Sequence, residues 1–170
     1  MVNKGRRRLL LAILVIATTL SVVALEISFN PVQEGHVKAT LIISFGSVKP
    51  YFMADHLVIW SKHDGNWTYS ATAEANTTYE FINVSISTEN VWSLMLAASS
   101  IMKETTGSGL NIQYTYYPEY QDYFITSIAG ASNGNGLYWQ YYVNGQMAAF
   151  GVLHEKVSQG DVVKWALEPY

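Results

Sequence analysis

Apolar and polar positions follow several different rhythms along the chain. An unbroken uncharged run, Leu9 to Leu25, is followed by β-branched and apolar sequence from Val37 to Phe45, which predicts a strand. His56 to Trp60 and Trp67 to Ala71 are strand-like and flank Ser61 to Asn66, where Asp64-Gly65 marks a hairpin turn. Tyr79 to Ile86 alternates, and unbroken alternation points Ile82, Val84 and Ile86 to the core. The period then changes. Val91, Leu94, Met95, Ala98, Ile101 and Met102 recur at helical spacing and predict a helix over Glu89 to Glu104, with Thr88 as N-cap, Glu89 at the positive end of the dipole and Gly107 as the stop.

Beyond Gly107-Ser108-Gly109 the strand rhythm returns at Leu110 to Tyr117, Tyr123 to Ala129, Leu137 to Val143, Gln146 to Gly151 and Asp161 to Leu167, with Asn144-Gly145 as a hairpin signal. Strands, one helix, then strands predict an α+β domain: a β-grasp-like mixed sheet wrapped around one helix, with an inserted β-hairpin and an N-terminal signal or anchor segment. Residues 36–170 are read as a single domain, and residues 26–35 as a short linker.

Charge sharpens the reading of the first run. Lys4, Arg6, Arg7 and Arg8 precede it, and residues 1–25 form either a cleaved signal peptide, with Val22 and Ala24 at the small-residue positions of a cleavage site, or an N-terminal membrane anchor through residues 9–25. Both outcomes leave the arginines in the cytoplasm and place the remainder outside the cell or on its surface. Beyond Arg8 the chain holds 6 lysines against 13 acids, a net charge of −7, so nucleic acid is not an expected partner. The chain has no cysteine, so core packing rather than disulfides must hold an exported fold. Three sequons, at Asn66, Asn76 and Asn83, are candidate glycosylation sites.

From about Thr78 to Glu168 the chain resembles a known family. The residues that carry the likeness are Tyr114-Thr115-Tyr116-Tyr117-Pro118, Tyr123 to Gly130, Tyr138-Trp139-Gln140-Tyr141-Tyr142-Val143-Asn144-Gly145, Gly151, and Gly160-Asp161-Val162-Val163-Lys164-Trp165. Their order and spacing are similar to the transcobalamin-like C-terminal domain, which also occurs as a domain of unknown function in prokaryotic surface proteins. In transcobalamin and intrinsic factor this β-domain closes over cobalamin against a large helical domain. The resemblance implies the fold and a ligand face for cobalamin or a related corrinoid, although the helical half of that cage has no counterpart in this sequence.

Candidate chemistry is sparse. Gly130 to Gly136 leads into a strand and not a helix, so it reads as a hairpin loop and not a phosphate cradle. Asp55, His56, His63 and Asp64 offer metal-ligand types without a tight spacing and read as solvated turns; no metal is expected. His36 and His154 have no sequence partner, and neither a nucleophile elbow nor a carboxylate pair is evident, so no catalytic residue is assigned and the chain is read as not an enzyme. What remains is a concentration of aromatic residues. Tyr117, Tyr120, Tyr123 and Phe124, with Asn133 and with Tyr138, Gln140 and Tyr142 on one face of their strand, are the candidate ligand-binding residues. Two functions follow: a non-catalytic extracytoplasmic module binding a small molecule such as a corrinoid, or a structural or adhesive envelope protein that contacts another envelope protein through sheet edges or aromatic faces.

Overall fold

A computed structural model describes residues 36–170. The signal or anchor segment and the linker expected at residues 1–35 lie outside the described residues. In chain order the elements are β1 (Val37–Ser44), β2 (His56–His63), β3 (Asn66–Ala73), β4 (Thr78–Ile86), α1 (Val91–Thr106), β5 (Gln113–Tyr117), β6 (Asp122–Ile128), β7 (Ala131–Ser132), β8 (Leu137–Val143), β9 (Gln146–Met147) and β10 (Val162–Pro169). Seven strands form one mixed sheet in the order β3-β2-β4-β1-β10-β8-β9, and β5-β6-β7 form a second, smaller sheet. The first and last strands, β1 and β10, run parallel at the centre, each with an antiparallel neighbour, β4 and β8. With one helix between the two halves, this is the α+β, β-grasp arrangement that the rhythm predicts. The β2–β3 hairpin is the insertion, extending the sheet beyond β4.

The helical stripe behaves as its spacing requires: Val91, Leu94, Met95, Ala98, Ile101 and Met102 are all buried. They join a core in which Trp60 stacks on Phe81 at 4.4 Å between ring centroids and Phe45 meets Tyr79 and Trp139 edge-on. The helix starts two residues later than its periodicity suggests. Asn90, not Thr88, is the N-cap: its Oδ1 accepts from Ser93 N at 2.8 Å, and its Nδ2 donates to Leu153 O at 3.3 Å. Glu89 therefore lies outside the first turn and pairs instead with Lys156 at 3.1 Å. Gly107 ends the helix in the left-handed conformation, as expected.

Along β4 the structure corrects the alternation. Tyr79 and Phe81 are buried together with Val84 and Ile86, while Ile82 is only half-buried. The cause is a β-bulge: pairing with β1 slips between Ala39 and Leu41, and Asn83 takes φ 55°, so the core-facing parity changes along the strand. Two other strands, β5 and β9, are shorter than expected, and β6 keeps its expected length but is shifted by one residue. Asn111, at φ 45°, interrupts the run before β5; β6 ends at Ile128 before Ala129 turns at φ 51°; and β9 stops at Met147. Asn66, Asn76 and Asn83 are all exposed. Among the described residues, no helix is long and apolar enough to cross a membrane.

Burial is the main cause holding the Tyr79 and Tyr141 phenols far above the ordinary tyrosine range; beside Tyr141 the Glu155 and Asp122 carboxylates push the same way. A phenol whose folded pKa is raised contributes stability that is present below the unfolded value, about 10, and lost as pH rises through the folded value. Alkaline denaturation should therefore set in above about pH 10, and Tyr79→Phe should flatten that limb of a denaturation-against-pH curve. An unchanged limb would show that Tyr79 is already ionisable in the folded protein.

Candidate functional site

The aromatic residues from the end of β5 into β6 and Phe150 of the loop after β9 line one open cleft of about 540 Å³. One wall is the turn from β5 to β6: Tyr117 accepts from Tyr120 N at 3.1 Å through its carbonyl, Gln121 takes φ 51°, and Phe124 packs edge-on against Tyr117 at 6.2 Å. The other wall is Ala149, Phe150 and Gly151. Tyr120 and Phe150 are 73% and 65% exposed, in contrast to the buried rings of Trp60, Trp139, Trp165, Phe45 and Phe81.

At the base of the cleft lies a buried charge. Asp122, the first residue of β6, is 7% exposed, and its carboxylate accepts from Tyr123 N at 2.7 Å, Leu153 N at 3.1 Å and the His154 ring at 2.7 Å. The Nδ1–H of His154 faces Asp122 Oδ2, which orients the ring in the cleft lining. Gly151 is required by the same geometry, because a Cβ there would stand 2.2 Å from Asp122 Oδ2.

The loop that carries Phe150 and His154 is tied down on several sides. Tyr141 stacks on Trp165 at 4.7 Å and donates from its hydroxyl to Phe150 O at 2.5 Å; Phe150 N donates to Glu155 Oε2 at 3.1 Å; and Trp92 N, at the start of α1, donates to Val152 O at 3.0 Å. The cleft is thus preformed on sheet and helix, with few groups left to order when something enters it.

The structure separates the eight candidate binding residues. Tyr117, Tyr120, Tyr123 and Phe124 line the cleft, Tyr123 also packing on Trp92 at 4.9 Å. Asn133 ties its loop to two strands: Oδ1 accepts from Trp139 N of β8 at 2.8 Å and Nδ2 donates to Ile125 O of β6 at 3.0 Å. Tyr138, Gln140 and Tyr142 do share one face of β8, as alternation requires, but it is the face opposite buried Trp139, away from the core. There Tyr138 meets Tyr170, Gln140 donates to Pro169 O at 3.1 Å, and Tyr142 donates to Glu168, the chief cause of its raised pKa. These three are not part of the cleft. Conversely the cleft takes in Asp122, Phe150, Gly151 and His154, which local pattern does not single out: Asp122 and His154 lie 32 residues apart, and only Gly151 figures in the family likeness.

Asp55, His56, His63 and Asp64 do not converge; Asp55 pairs with Lys49 at 2.7 Å, and His56 Nδ1 contacts Ala54 O. Among the described residues, no group of three or more metal-ligating side chains occurs.

No curated protein matches the chain. Residues 98–169, the stretch from the middle of α1 through the cleft to the end of β10, match the family described as a domain of unknown function, DUF4430.

Proposed function

We propose that this chain is a non-catalytic, extracytoplasmic surface module that binds a small, largely planar ligand of the corrinoid class in the aromatic cleft. The observation that carries the reading is the cleft itself: a preformed concavity of about 540 Å³ with exposed rings on both walls and one oriented imidazole at its base. That volume lies within the range usual for small-molecule sites. Ring walls supply contact area at low entropic cost, and a single fixed polar group orients what they hold. The likeness of Tyr114 to Trp165 to the transcobalamin-like domain supplies the ligand class, and the basic residues before the uncharged run support export, with Asn66, Asn76 and Asn83 as glycan acceptors on the exposed body.

Calorimetric titration of the purified protein with cobalamin and with simpler corrinoids tests this. Saturation at micromolar ligand, about −8 kcal/mol, is expected. Tyr120→Ala should weaken binding by about tenfold, roughly 1.4 kcal/mol, while changing stability by less than about 0.5 kcal/mol, as for other exposed positions. Binding unaffected by Tyr120→Ala would move the site elsewhere, and the absence of heat with every corrinoid would remove the ligand class.

A further inference from the structure

A second surface lies at the other end of the large sheet, five strands from β8 in the strand order, and is independent of the cleft reading. Strand β3 is an edge, paired only with β2. It is eight residues long, holds no charge and no proline, shows no register shift, and seven of its residues are exposed. Such an edge is open to pairing with another chain. The remaining edges are guarded: β7 and β9 are two residues each, and β5 carries a register shift after Gln113 and runs into Pro118.

The hairpin turn shows which backbone groups are free. Asp64 and Gly65, at φ 49° and 85°, make a two-residue turn of the type in which the flanking residues, His63 and Asn66, exchange both ladder bonds. Counting from there, Asn66, Thr68, Ser70 and Thr72 bond to β2, whereas Trp67, Tyr69, Ala71 and Ala73 turn their N–H and C=O groups outward.

We infer that β3 is a self-association edge, where a second copy of this chain adds its own β3 antiparallel, with Ser70 opposite Ser70 on the two-fold axis. This register uses all four outward residues, pairing Tyr69 with Ala71 and Trp67 with Ala73 of the second copy. Each large ring then lies beside a small side chain on the helix side of the sheet, where Tyr69 packs on Phe52 and Trp60 and Trp67 packs against the core. On the outer face, Thr68 meets Thr72 and Ser70 meets Ser70. No like charges oppose one another within the paired strands.

The absence of cysteine makes the register directly readable. In the full chain, Ser70→Cys places two thiols on a non-hydrogen-bonded pair with Cα atoms about 4.5 Å apart, close enough for a disulfide. Upon mild oxidation at dilute concentration, most Ser70→Cys chains should run as disulfide-linked dimers on a non-reducing gel. Thr68→Cys alone should give less than about a tenth as much, because its two copies stand about 13 Å apart along the strands, while an equal mixture of Thr68→Cys and Thr72→Cys should cross-link. Adding Ala71→Pro, which removes an outward N–H and leaves the β2 bonds intact, should abolish the Ser70→Cys dimer; Ala71→Lys serves the same purpose if proline perturbs folding. Failure of Ser70→Cys to cross-link, or equal cross-linking by Thr68→Cys alone, would overturn the proposal.

Discussion

Gly151→Ala is expected to destabilise the protein by roughly 2–4 kcal/mol and to disable the cleft at the same time. The new methyl would stand 2.2 Å from Asp122 Oδ2, closer than any side-chain carbon can approach. The obstacle is not the end of a flexible side chain. The Asp122 carboxylate is buried and holds Tyr123 N, Leu153 N and His154, so displacing it leaves at least two backbone donors without partners, at about 1–3 kcal/mol each. Those bonds also position His154 and the loop that carries Phe150, so ligand binding should fall with stability. A double-mutant cycle isolates the collision: in an Asp122→Ala background, Gly151→Ala should cost much less than in the wild type. Equal costs in both backgrounds would mean that the loop, and not the carboxylate, demands glycine.

Leu94→Ala is expected to destabilise by about 2–5 kcal/mol, the usual range for a leucine deleted from a close-packed core. Leu94 is fully buried at the centre of the α1 stripe. Two residues along the same helix Leu96 is 45% exposed, and Leu96→Ala should change stability by no more than about 0.5 kcal/mol. The contrast in urea midpoints between the two leucines reads out the rotation of the helix about its axis. Similar costs at both positions would contradict the packing.

The sequence reveals those parts of the fold that depend on local repetition. The stripe from Val91 to Met102 needs only the helical period, and the two hairpins need only Asp64-Gly65 and Asn144-Gly145, all of which adopt φ above +45° in the structure. The bulge at Asn83 leaves only a trace at that level: adjacent Phe81 and Ile82 break the alternation, but which of the two turns from the core depends on how β4 registers against β1. The helix start moved for a similar reason: Thr88 and Asn90 are both competent caps, and the contact of Asn90 with Leu153, far along the chain, coincides with the choice.

The candidate site divides along the same line. Tyr117, Tyr120, Tyr123 and Phe124 lie within eight residues and stay together on folding, so their clustering is legible. Tyr138, Gln140 and Tyr142 also share a face, as alternation requires, but periodicity does not tell which face borders the cleft. The buried carboxylate was hidden because Asp122 and His154 are separated by β7, β8 and β9. A lone aspartate among tyrosines carries no signal until the β9 loop folds back onto it.

The most direct test is to map the backbone amides that respond to a bound corrinoid by heteronuclear NMR. The account predicts amide perturbations concentrated in residues 117–124 and 149–154, with the β2–β3 hairpin and the outer face of β8 unchanged. Perturbations centred instead on Tyr138, Gln140 and Tyr142, with residues 149–154 unmoved, would contradict it.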